Sequence, residues 1–324
     1  MIRKILSGIS VLIIILGACV CMYPQASLMY GRYERNVIIR EFEQETQAYR
    51  EQHQKQQLTT EEQEETDLKK SLDRLYQDLQ AYNEQIWQEQ QSELKDAFSY
   101  EDSCFELTEY GLHENMIGTL WIPRMEVELP LYLGATRDNM KKGAAILGQT
   151  SMPLGGKNTN TVIAAHRGGG STPMFRNIQL LQIGDKIQVT TPFDTLIYRV
   201  SEIQIILPNE IDKILIEPEE DLVTLITCHP YTKNTHRYLV KAIRSFEEEN
   251  SREADLQEAE ESRADTSEEL IPEADELLDA AGIHYSETQI LLEKYGTLVG
   301  VAILLYICIS GIAGFIKSKR KREK

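Results

Sequence analysis

Three side chains of complementary chemistry stand where apolar runs give way to loops. Cys228 closes the run DLVTLITC, the eight-residue loop HPYTKNTH follows, and Arg237 opens the run RYLVKAI. His166 closes a third run, TVIAAH, ahead of the glycine-rich RGGGS. Two strands joined by so short a loop are plausible neighbours, which brings the thiol at the end of one close to the guanidinium at the head of the other. A fixed cation there favours the thiolate and can receive negative charge on a carbonyl oxygen under attack. An imidazole at a neighbouring strand end can give and take the proton, so the set suits nucleophilic acyl transfer. On spacing alone the plainer readings stay open, because buried cysteines are often inert and a histidine at a strand end often makes only a hydrogen bond. His229 and His236 near Cys228 also raise a zinc reading. A zinc site needs four ligands, or three and a water, with pairs such as C-x2-C or H-x3-H, and the sequence supplies none of these, so no metal or other cofactor is expected.

A nucleophilic role requires a free thiol. Of the five cysteines, Cys19, Cys21 and Cys308 fall in long hydrophobic runs, which leaves Cys104 and Cys228 for the remainder of the chain. The reading therefore requires that these two are not joined in a disulfide.

The elements that must carry the three groups are legible between residues 115 and 246. Short apolar runs (GTLWIP, VELPLYLG, AAILGQTS, TVIAAH, KIQVTT, TLIYRVSEIQIILP, LVTLITC, RYLVKAI) alternate with turn residues such as PLGGKN. That texture predicts about eight strands and a mainly β domain, a barrel or a sandwich. Before it, residues 24–95 are rich in Glu, Gln and Lys, and Leu68, Leu72, Leu75, Leu79, Tyr82 and Ile86 recur at spacings of three and four. This is the apolar stripe of an amphipathic helix that packs on the following domain. The segment Glu43 to Thr66 lacks such a stripe and reads as a loosely packed helix or as disordered.

Residues 247–294 form an acidic linker. From Glu247 to Ala280 it holds fifteen acidic residues against two arginines, so it accounts for most of the net charge of −17 and reads as a solvated spacer or a marginal helix. An acidic chain of this kind lacks the basic face that a nucleic acid requires.

Two hydrophobic runs flank these parts. Residues 1–23 carry Arg3 and Lys4 ahead of an apolar stretch and read as a membrane anchor, with a signal peptide as the alternative. Residues 295–316 are long, uncharged and followed by KSKRKREK, so they read as a transmembrane helix with the basic tail 317–324 in the cytoplasm. Both termini are then inside and the domain between them outside.

Together the motifs resemble those of sortases. TLITC at Thr224 to Cys228 matches their TLxTC signature, AAHRG at Ala164 to Gly168 resembles the end of their histidine strand, and NTHRYLV at Asn234 to Val240 resembles their arginine segment. The resemblance covers residues 115–246 and implies a closed β-barrel transpeptidase with Cys228 as nucleophile, His166 as acid and base, Arg237 as charge stabiliser, and Thr227 and Thr235 among the substrate-binding residues. It implies cleavage of an LPxTG-like sorting signal through a thioacyl intermediate and transfer to an amine. The helical extension and the second hydrophobic run resemble class C, pilin-polymerising sortases, in which the acceptor is a pilin lysine and the place is the plasma membrane of a single-membrane bacterium. That class has a lid loop with an Asp-Pro-aromatic motif. Residues 96–114 stand at the matching place and begin Asp96-Ala97-Phe98, with alanine where the motif has proline. A general anchoring enzyme acting on a cell-wall precursor, a cysteine protease with water as acceptor, and a non-catalytic binder of sorting peptides are the alternatives.

Overall fold

The structure, a computed structural model, describes residues 2–56, 67–100, 102–112, 114–168, 173–230, 233–246 and 252–265. The chain divides into two compact units, Met1–Arg32 with Leu277–Lys324, and Tyr33–Glu276. In the first unit the described residues are helical, the opening part of α1 (Ile2–Gln56). Among the described residues no helix is long and apolar enough to cross a membrane. The expected second span, 295–316, and the tail 317–324 lie outside the described residues.

All eight runs that read as strands are strands. They are β1 (Met116–Ile122), β2 (Val127–Leu133), β3 (Ala144–Ile146), β4 (Thr159–Ala164), β5 (Lys186–Thr190), β6 (Thr195–Ile206), β7 (Asp221–His229) and β8 (His236–Ser245). They close into a barrel in the order β1-β2-β3-β4-β7-β8-β6-β5. β2 with β3 and β4 with β7 are parallel and the other pairs antiparallel. A parallel pair needs a crossover, and between β2 and β3 the short helix α3 (Arg137–Lys142) provides it, started by the Thr136 hydroxyl accepting from Asn139 N–H. At the closing seam β1 meets β5 so tightly that a Cβ on Gly118 would lie 2.1 Å from the Thr190 carbonyl oxygen, which only glycine permits.

Alternation along the strands sorts the apolar residues into two clusters. Val223, Leu225, Ile163, Tyr238, Val240 and Ala242 belong to the main core. Their neighbours Ile226, Val162, Ala164 and Leu239 face the other way, into a second cluster with Leu94, Ala97, Met140 and Ile214.

The helical extension packs as its stripe predicts. In α2 (Asp67–Gln88), Leu72, Leu75 and Leu79 are 0% exposed and Ile86 2%, each fully buried side chain contributing about 1.5–3 kcal/mol. Asn83 acts like a strand edge, donating to the Met152 carbonyl at 3.1 Å and accepting from Met152 N–H at 2.6 Å. Gln91 joins two further segments, donating to Gln149 O and accepting from Ile216 N–H. The segment from Glu43 takes the helical alternative as far as Gln56, and residues 57–66 lie outside the described residues. Ile39, Phe42, Thr46 and Tyr49 form a buried stripe at spacings of three and four. The stripe escapes a search for apolar periodicity because one member is a threonine, whose hydroxyl is satisfied by donating to the Phe42 carbonyl.

Part of the acidic run takes the helical alternative, while residues 247–251 and 266–294 lie outside the described residues. Residues Arg252–Asp265 form α4, whose Asp255 meets Lys186 of β5 at 2.8 Å with both side chains buried. Arg199 pairs with Glu258, and Arg124, clamped on Asp185 at 2.8 Å, donates to the Ala259 carbonyl. Specific ion pairs, not apolar burial, hold this helix.

Candidate active site

The β7–β8 register sets Cys228 directly opposite Arg237. In an antiparallel pair opposed residues point to the same face, so thiol and guanidinium share one side of the sheet. β4 runs parallel to β7 with Ala164 opposite Ile226, and the pairing continues past the strand end through Ala165 N–H to Ile226 O at 3.3 Å. Continued by two residues, that register brings His166 level with Cys228 in the same alternation. All three groups continue the face of the second apolar cluster, at one end of the barrel. The loop after His166 folds back, with Phe175 N–H donating to the His166 carbonyl at 3.0 Å.

Asp96 and Phe98 come to the same place. The Asp96 carboxylate accepts from Arg237 Nε and NH2, each at 2.7 Å, and also from Phe98 N–H at 3.2 Å. Arg237 NH1 donates to the Asn234 and His236 carbonyls at 3.2 and 3.0 Å. The Phe98 ring lies 4.9 Å from the Arg237 guanidinium carbon and 6.1 Å from the His166 ring. No proline is needed for this turn. Ser99 N–H and its hydroxyl both bond to the Asp96 carbonyl, Ala97 is buried at 2% in the second cluster, and Tyr100 stacks under Arg137 at 4.9 Å.

The two threonines behave differently from each other. Thr227 is 0% exposed, and its hydroxyl donates to the Ala165 carbonyl at 2.7 Å. It therefore fixes the His166 strand end to the Cys228 strand and has no exposed surface in this state. Thr235 is exposed, with its hydroxyl 2.9 Å from His236 Nδ1.

Cys104 and Cys228 are not joined to each other, and both are free thiols, Cys104 exposed and Cys228 half-buried. Burial pushes the Cys228 pKa up from its ordinary 9.0. Arg237 pulls it down, Asp96 pushes it up, and Arg167 pulls it down. Burial lowers the His166 pKa from 6.5. In this arrangement both groups favour their neutral forms at pH 7, with the carboxylate of Asp96 engaging the cation that would otherwise serve the thiolate.

Sequence reasoning weighed His229 only as a metal ligand and gave no role to Arg167 or Tyr238. His229, one position beyond Cys228, turns to the opposite face, so thiol and imidazole do not converge on one metal as the zinc reading would require. Its Nδ1 instead meets Arg167 NH1 at 2.5 Å. The adjacent signal was present in the motif AAHRG, where a second cation directly follows the histidine.

A family model described as Sortase domain matches residues 120–245. Among curated proteins, Sortase A of Bacillus anthracis is 26% identical over 166 residues, spanning 51% of this chain and 77% of that protein. Among solved structures, a Sortase C of Streptococcus pneumoniae, described in terms of catalysis and pilin substrate specificity, is 30% identical with a TM-score of 0.53, covering 66% of this chain and 98% of that one. Sortase C1 of pilus island 1 from group B Streptococcus is also 30% identical, with a TM-score of 0.51, covering 59% of this chain and 88% of that one.

Proposed function

Because the chain belongs to the sortase family of cysteine transpeptidases, we propose that it joins sorting-signal proteins to an amine through a thioacyl bond on Cys228, with a pilin lysine as acceptor. The observation that carries this reading is the opposed pair Cys228 and Arg237, with His166 at the adjoining strand end and Asp96 on the guanidinium. The likeness to two Sortase C structures at 30% identity supports the pilus assignment.

In the proposed reaction the Cys228 thiolate attacks the carbonyl carbon of the Thr–Gly bond in an LPxTG-like signal, and Arg237 donates to the oxyanion. His166 gives its proton to the departing glycine amine as the C–N bond breaks, leaving a thioester. The acceptor amine loses a proton to His166, attacks the thioester carbonyl and expels the Cys228 thiolate. Asp96 and Phe98 act as a lid in the resting state, since the carboxylate occupies donors that the oxyanion requires. Thr235 faces the incoming peptide, and Thr227 holds the two strand ends together beneath it. The runs 1–23 and 295–316 support attachment to the plasma membrane, with the barrel outside.

The test is incubation with a sorting peptide and a lysine-bearing pilin segment. An amide-linked product that disappears in Cys228→Ala supports the reading. Hydrolysis alone in the presence of amine makes the chain a protease, and failure to form any thioacyl species makes it a binder.

A further inference from the structure

Each of the three groups proposed to do the chemistry is followed in the chain by a residue of one buried cluster. His166 is followed by Arg167, Cys228 by His229, and Arg237 by Tyr238. Arg167 is 7% exposed, His229 3% and Tyr238 6%. Because neighbours on a strand alternate in direction, the three successors face the barrel core when their predecessors face the site. There they meet. Arg167 NH1 lies 2.5 Å from His229 Nδ1, Arg167 NH2 donates to the Gln179 side-chain oxygen, the Arg167 guanidinium carbon is 5.7 Å from the Tyr238 ring centroid, and the His229 and Tyr238 rings are 5.7 Å apart.

We infer that Arg167, His229 and Tyr238 are positioning residues that set the three reactive groups in register from behind. This rests on the proposed roles of Cys228, His166 and Arg237. The backbone link is short, since a shift of Arg167 moves His166 through one peptide unit, and a shift of His229 moves Cys228 in the same way. A guanidinium has only donors, so the contact requires a lone pair on His229 Nδ1, hence a neutral ring protonated on Nε2. The surroundings enforce that state. Burial first, then the charges of Arg167 and His236, hold the His229 pKa down at about 4. A histidine kept neutral beside a cation serves as a fixed acceptor, not as a proton carrier.

Arg167→Lys, His229→Leu and His229→Asn test this. The rate of Cys228 alkylation by iodoacetamide is measured against pH, alongside turnover of a sorting peptide and thermal unfolding. Arg167→Lys is expected to leave the alkylation midpoint in place while lowering kcat about tenfold, because lysine keeps the charge and loses the fork. His229→Leu is expected to lower kcat about tenfold with KM little changed, and His229→Asn to recover most of it, since the asparagine oxygen can stand where Nδ1 stands. Parental kcat in both Arg167→Lys and His229→Leu, or equal losses in His229→Leu and His229→Asn, overturns the positioning role. If His229→Leu fails to fold, Arg167→Lys and His229→Asn still decide. Turnover surviving in Cys228→Ala would instead sink the underlying assignment of the nucleophile, and the alkylation profile is read without any sorting peptide.

Discussion

The Asp96 carboxylate and the Arg237 guanidinium meet as two parallel hydrogen bonds of 2.7 Å, joining the turn that opens the 96–114 loop to the second residue of β8 across 141 residues of chain. Both side chains are largely shielded, with 23% and 8% exposure. The pair must open before Arg237 Nε and NH2 can serve a substrate. Asp96→Ala is therefore expected to raise the alkylation rate of Cys228 severalfold at neutral pH, both by freeing the turn and by removing a carboxylate that disfavours the thiolate. Phe98→Ala should act in the same direction through access alone. Equal rates in both variants and the parent would make residues 96–98 a plain connection.

Arg237→Lys tests the demand for a planar fork. Lysine keeps one positive charge but cannot hold two carbonyls and still direct donors at an oxyanion, as the guanidinium geometry permits. A fall in kcat of about a hundredfold is expected, the size seen when an oxyanion donor is lost. Single-turnover formation of the thioacyl species isolates the step, and near-parental acylation would remove Arg237 from it.

The barrel was legible because each strand announces itself locally, by a short apolar run and a turn. The order and spacing of His166, Cys228 and Arg237 were legible for the same reason, since all three sit at run ends. What stayed hidden depends on distant partners or on register. Asp255 reads as one acid among fifteen until Lys186 is placed beside it, 69 residues away. The contact of Arg167 with His229 requires knowing that β4 and β7 lie side by side in parallel, because only then do the two successors share the inner face. Thr46 inside the α1 stripe is a polar residue at a core position, which hydropathy alone scores against a packed helix.

The Lys186–Asp255 pair makes a stability prediction of its own. Its side chains are 4% and 1% exposed, so removing one charge leaves the other buried without compensation. Asp255→Ala is expected to destabilise the barrel by about 3–5 kcal/mol, read as a lower urea midpoint. Replacing both, as Lys186→Met with Asp255→Leu, should return most of the loss, because two apolar side chains of similar volume leave no charge to satisfy. If Asp255→Ala unfolds at the parental midpoint, α4 contributes nothing to the folded body and residues 252–265 revert to a spacer.

The pH–rate profile follows from the opposite shifts at the two groups that exchange the proton. His166 is held below its ordinary 6.5 by burial, and Cys228 above its ordinary 9.0 by burial, with Asp96 adding to the rise. The productive form carries a thiolate and an imidazolium. As pH falls through the His166 pKa, the thiol-protonated, imidazolium form accumulates and the rate drops. As pH rises through the Cys228 pKa, the thiolate with neutral imidazole accumulates and the rate drops again. Between the two limbs the productive form is a constant minor fraction, so kcat/KM should trace a broad bell with its acid limb below pH 6.5 and its alkaline limb above pH 9.0. Asp96→Ala removes one of the causes that raise the thiol pKa, so the alkaline limb should move to lower pH and the plateau should rise. An acid limb above 6.5 or an alkaline limb below 9.0 would contradict the shifts imposed by burial and by Asp96, and would show that the closed arrangement of Asp96 on Arg237 is not the state that binds the sorting signal.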